Sequence, residues 1–166
     1  MTVKAYSILF QKAKDGSPVK DLLTDFSMGC VAFPFKLSGD VKELPMDDYP
    51  DEDGEDVFIP EILTVKAYDL DVDFSYKGAD AENGVRVFID YLLGHDGTGA
   101  SLKVYNPYIK MGRSKIYITG FSEPEFNREN DEEIANFTIS FRVTDPRTRV
   151  VPSYDGNNNI IGLTTT

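Results

Sequence analysis

From Tyr68 to Tyr76 the chain alternates without a break. Tyr68, Leu70, Val72, Phe74 and Tyr76 are apolar or aromatic, and Asp69, Asp71, Asp73 and Ser75 stand between them. A period of two is the repeat of an extended strand, whose successive side chains leave opposite faces. Phe137, Ile139, Phe141 and Val143 repeat the pattern, interleaved with Thr138, Ser140, Arg142 and Thr144. Each run predicts a strand with one face in a core and the other toward solvent or a partner. That is the antiparallel pattern, because a buried parallel strand reads as apolar throughout.

Weaker strands fill in the sheet. Val31, Phe33, Phe35 and Leu37 alternate, but Pro34 cannot donate to a ladder, so this run is expected to be an edge or bulged strand. Leu102–Tyr105 and Lys115–Phe121 are expected to pair as neighbours, with turn chemistry at Asn106-Pro107 and Met111-Gly112 between them. Val3–Phe10 reads as a first strand, closed by the turn Asp15-Gly16-Ser17-Pro18. One helix stands out. Val85, Phe88, Ile89, Leu92 and Leu93 make a single apolar stripe, with Asp80 as N-cap and Gly94 just past the end. Gly84 weakens its first turn by roughly 1 kcal/mol relative to Ala. Loops are expected at 43–56, which is acidic, at 95–100, which is Gly-rich, and at 122–133, which is polar. Residues 1–151 then form a single β-rich domain, and 152–166, with Asn157-Asn158-Asn159 and three terminal Thr, form a mobile tail.

The 166 residues suit one domain with one core, and the net charge of −11 narrows its partners. Affinity for phosphate needs clustered Lys and Arg, so an acidic chain is not expected to bind nucleic acid or an anionic membrane. No apolar run approaches a bilayer span. Met1–Phe10 lacks the apolar stretch and small-residue cleavage site of a signal peptide, and Cys30 is the only cysteine, which fits a reducing cytoplasm.

The acidic run Asp47–Asp56, which includes Asp51, Asp53 and Asp56, resembles a calcium loop only in composition. An EF-hand loop counted from Asp51 puts Gly54 at position 4 instead of 6, and one counted from Asp48 puts Pro50 at position 3. The run therefore reads as a solvated loop that orders against a partner, with no metal and no cofactor. Asp69, Asp71 and Asp73 step along one strand face by about 7 Å, which gives a repulsive row instead of two differentiated carboxylates. His95 is the only histidine and has no sequence neighbour to make it catalytic. Gly94-His95-Asp96-Gly97-Thr98-Gly99 follows a helix and lacks the P-loop Lys, so it is a turn and not a phosphate cradle. With no catalytic motif, the chain is expected not to be an enzyme. Nine Tyr and no Trp suit protein contacts or stacking on a sugar.

The segment Tyr68–Gly78, followed by a short helix, and the segment Phe137–Pro146, which contains Phe-Arg-Val-Thr-Asp-Pro, together resemble tail structural proteins of long-tailed bacteriophages and prophages. The tail-tube and distal-tail groups are the nearest in kind. The resemblance covers about residues 57–150 and leaves tube body, tail end and baseplate open. It implies a tail-tube-like fold, mainly β with one flanking helix (α+β), as an antiparallel β-sandwich or barrel. It also implies subunits that pack into rings, often hexamers, which stack with themselves and with other tail proteins. Such a protein would be cytoplasmic during assembly and then part of the virion tail. On that reading Asp51, Asp53, Asp56, Asp69, Asp71 and Asp73 lie on an assembly or lumen surface, where acids let DNA slide without binding. The alternative is a β-sandwich module that binds a ligand such as carbohydrate. A third possibility is a small enzyme that uses the acidic loop.

Overall fold

A computed structural model describes residues 6–166. Strand β1 (Leu9–Lys12) turns into β2 (Val19–Asp21), which runs directly into the one-turn helix α1 (Leu22–Phe26) and then β3 (Met28–Cys30). A long excursion follows, with the two-residue strands β4 (Met46–Asp47) and β5 (Asp56–Val57). Strand β6 (Tyr68–Gly78), helix α2 (Ala81–Leu93), β7 (Leu102–Asn106), β8 (Met111–Phe121), β9 (Glu125–Glu129) and β10 (Glu132–Val143) build most of the body. Strands β11 (Val150–Tyr154) and β12 (Ile160–Thr165) form a hairpin.

The main sheet is antiparallel, in the order β2-β1-β7-β8-β10-β6-β3. Strand β10 is shared along its length. Glu132–Asn136 pairs with β9, and Ile139–Val143 pairs with β8 across an irregularity at Ser140/Phe141. The sheet curves without closing as a barrel. Its far strand, β3, meets the chain leading into β1 through an isolated bridge, where Tyr6 and Cys30 exchange backbone bonds of 2.9 and 3.0 Å. The fold is thus mainly β, antiparallel, with a helix on one side of the core.

The two alternating runs lie side by side. Phe74 opposes Phe137, Val72 opposes Ile139 and Leu70 opposes Phe141, and their side chains are all buried. Helix α2 covers this face with Val85, Phe88, Ile89 and Leu92. Phe88 has no exposure and sits among the rings of Phe10, Phe26, Phe74 and Phe137, with centroids 5.0–6.4 Å away. Burying such a ring stabilises by about 1.5–3 kcal/mol, and edge-to-face contacts add to it. Asp80 caps the helix by accepting from the Asn83 N–H at 3.2 Å, and Gly94 ends it at φ 81°, a left-handed value that a Cβ disfavours. Gly84 has a packing reason: a Cβ there would overlap the Tyr76 ring.

Four expectations need correction. A second helix, α1, exists, capped by Asp21, which accepts from Leu23 and Thr24. At five residues it is too short to show a helical period in sequence. Residues 31–37 are not a strand: Phe33 and Phe35 are buried, but Leu37 is 84% exposed. Side-chain hydroxyls replace the ladder there, the Phe33 N–H donating to Tyr6 Oη and the Lys36 N–H to Tyr68 Oη, each at 3.1 Å. Residues 122–133 hold β9 and the start of β10, joined at Asn130-Asp131. Both of these have positive φ, 51° and 66°, as a two-residue hairpin turn requires.

Residues 152–166 are the fourth. They are not a mobile tail, because the β11–β12 hairpin is docked on the body. Leu163 is buried with Val150 and Leu9, and its N–H donates to Gln11 Oε1 at 2.7 Å. The Val3–Phe10 strand is realised from Leu9, with Tyr6 in the bridge, and residues 3–5 lie outside the described residues. Strands β7 and β8 pair as expected.

Candidate assembly surface

The six acids singled out in the sequence fall into two separate sets. Asp69, Asp71 and Asp73 point outward from β6, whose burial alternates residue by residue. They do not form a bare repulsive row, because the register sets each one opposite a donor on β10. Arg142 Nη1 donates to Asp69 Oδ1 at 3.0 Å, the Ser140 hydroxyl to Asp71 at 2.5 Å and the Thr138 hydroxyl to Asp73 at 2.6 Å. Ser75 donates to Asn136 one step further on, at 2.6 Å. The face is a cross-strand polar ladder that holds its carboxylates in place while leaving them exposed to solvent. One cation among three acids leaves it net negative, which repels phosphate.

Asp51, Asp53 and Asp56 lie on an arm spanning residues 38–67. The arm contributes no residue to the main core, whose members run from Phe35 directly to Tyr68. Its root is a short ladder. The Lys66 N–H donates to the Asp40 carbonyl at 2.7 Å, the Lys42 N–H donates to the Thr64 carbonyl at 2.9 Å, and Val41 bridges Val65. Gly39 allows the close approach, since a Cβ there would overlap the Lys66 carbonyl oxygen. Further out, Met46 pairs with Val57 and Asp47 with Asp56, which leaves Asp51 and Asp53 in the connecting loop.

Residues 40–66 hold ten acids and two lysines, a net −8 of the molecule's −11. The arm also displays large apolar side chains. Phe58, Ile59 and Ile62 are 70–76% exposed, and Met46 and Leu63 are exposed too. Covering each would stabilise by about 1.5–3 kcal/mol at full burial. The arm is thus both acidic and apolar on its exposed surface, and none of its residues belongs to the main core.

Two buried cations were not legible as site residues. Arg113 donates to the carbonyls of Pro146 (3.1 Å), Gly112 (2.7 Å), Lys36 (3.2 Å) and Leu37 (3.3 Å), and so clamps the root of the arm to β8. Lys12 lies over the Tyr91 ring at 4.2 Å and donates to the carbonyl of Tyr91 in the last turn of α2 and to that of Gly99 in the Gly-rich loop that follows. Burial pushes its ammonium below the usual lysine range, opposed in part by Asp96.

The remaining candidates for chemistry are dispersed. His95 is exposed, with Nδ1 3.6 Å from Asp90 Oδ1. Cys30 is buried in the core and its thiol is pushed up to about 12, so it stays protonated at neutral pH. The Gly-rich turn is held by Asp96, which accepts from the Thr98 N–H at 3.1 Å and from its hydroxyl at 2.6 Å. Among the described residues no group of three or more His, Cys, Asp and Glu is placed to hold a metal ion, and no helix is long and apolar enough to cross a membrane. Comparison with known protein families, with curated proteins and with solved structures finds no match.

Proposed function

We propose that this chain is a non-enzymatic structural subunit of a phage or prophage tail, which forms or caps a tail tube by assembling into rings. The observation that carries the reading is the arm: a 30-residue excursion that leaves the core complete without it and presents acids and uncovered apolar groups together. A subunit that must grip a neighbour has use for such an arm, while a monomeric module has only its solubility cost. The two segments that resemble tail proteins are neighbouring strands here, β6 and β10, so the resemblance falls on one continuous piece of sheet. Their outer acid ladder suits a surface that passes DNA without holding it.

The test is light scattering behind size exclusion over a concentration series, with negative-stain images of each peak. Rings or tubes that grow with concentration are expected. A strict monomer at every concentration, which also fails to join neighbouring tail proteins, would overturn the reading.

A further inference from the structure

A groove of about 400 Å³ opens beside the root of the arm. Its lining combines apolar Leu37, Met111 and Val150 with cationic Lys110, Arg147 and Arg149, and includes no carboxylate. On a molecule of charge −11 that combination is unexpected. Lys110, Arg147 and Arg149 are all exposed, and among the described residues none is in an ion pair. The carboxylate nearest in sequence, Asp145, is occupied elsewhere, accepting from the backbone N–H groups of Arg147 and Thr148 at 3.2 and 3.1 Å.

The occupant of such a groove needs apolar groups for the lining and carboxylates for the three cations. The outer arm supplies both in one stretch. Asp56 and Glu61 are interleaved with exposed Phe58, Ile59 and Ile62, and Pro60 stiffens the chain between them. Within one copy both halves stand open: the groove is unfilled and the segment is uncovered.

We infer that this groove receives residues 56–63 of the arm of a second copy. The inference rests on the self-assembly reading above and names its contact. Each copy then offers one arm and one groove, which are different patches. Such a heterologous contact propagates from copy to copy and yields rings or filaments instead of closed two-fold dimers. The acids meet the cations in a partly apolar setting, where complementary charge fixes register and wrong juxtapositions are costly.

The test uses full-length protein and reads the concentration of half-assembly by light scattering. Arg147→Glu with Arg149→Glu reverses the groove, and Asp56→Arg with Glu61→Arg reverses the arm. Each pair alone is expected to raise that concentration about 10-fold or more, as like-charge contacts do. An equimolar mixture of the two is expected to recover assembly to within about 3-fold of the unaltered chain, because each reversed element finds its complement on the other variant. All four positions are exposed, so thermal melts should stay unchanged. Arg147→Gln with Arg149→Gln serves as a milder groove variant, with a smaller loss in the same direction. Normal assembly by both groove variants, or a mixture that does not recover, would overturn the inference and leave the tail reading standing. A monomeric unaltered chain at every concentration would overturn the inference, and would overturn the tail reading with it only where the chain also fails to join neighbouring tail proteins.

Discussion

Lys12 occupies a position whose strand neighbours of the same phase, Ile8 and Phe10, are fully buried. Its ammonium is kept there by the carbonyl of Tyr91 in the last turn of α2, by that of Gly99 in the following loop, and by the Tyr91 ring. Sequence alone gives no way to separate a lysine that ends an apolar phase in solvent from one that reaches a buried helix end. Lys12→Met keeps the stem volume but removes the donors, and leaves the Gly99 carbonyl short of a partner. The expected cost is about 1–2 kcal/mol in urea unfolding at neutral pH. The pH dependence has a definite sign. Burial lowers the folded-state pKa below the ordinary value of 10.5, so the unfolded chain holds this proton more tightly. Stability from this group therefore rises as pH climbs from the folded pKa toward the unfolded one. Lys12→Met loses that slope, and its deficit relative to the unaltered chain should widen as pH rises from neutral toward 10.5.

At the scale of elements, legibility followed how much of each element faces the core. Strands β6 and β10 bury every second residue, so their period appears directly in the sequence, and α2 shows its stripe and both caps. Strand β9 buries nothing and carries no period at all; its hairpin is written only in the Asn130-Asp131 turn. The β11–β12 hairpin fails for a related reason, since β12 is anchored by a single buried side chain, Leu163. Leu163→Ala should cost about 2–3 kcal/mol in chemical denaturation, far more than a mobile segment would allow. A change near zero would return residues 152–166 to the status of a loose tail. Gly84 sets two effects against each other. Gly84→Ala gains roughly 1 kcal/mol of helix propensity, but the new methyl collides with the buried Tyr76 ring, and overpacking costs about 1–3 kcal/mol. The collision should dominate, because Tyr76 is fixed by its own burial and by the Asp80 N–H that donates to its hydroxyl at 3.4 Å. A lowered melting temperature for Gly84→Ala is expected, and a raised one would show that the ring gives way.

The whole molecule divides into a body that is complete by itself and an arm that is not. The acids of the arm were legible because charge runs stand out in composition. Its apolar half was misleading instead: Phe58-Ile59 and Ile62-Leu63 have the spacing of a helical stripe, the same as Phe88-Ile89 and Leu92-Leu93, but Pro60 lies inside the run and no helix forms there. Their meaning depends on a surface the arm's own neighbours in sequence do not provide. The division itself can be tested. The chain enters and leaves the arm side by side, with Lys42 and Thr64 joined by a 2.9 Å backbone bond, so residues 43–63 can be exchanged for a short Gly-Ser connection without stretching the root. Loop-closure entropy changes slowly with length, so the shortened body should unfold within about 1 kcal/mol of the full chain. Self-association, however, should disappear from light scattering at concentrations where the full chain assembles. Equal assembly with and without residues 43–63 would place the contact surface elsewhere on the body, whereas loss of folding together with the arm would show that the core depends on it.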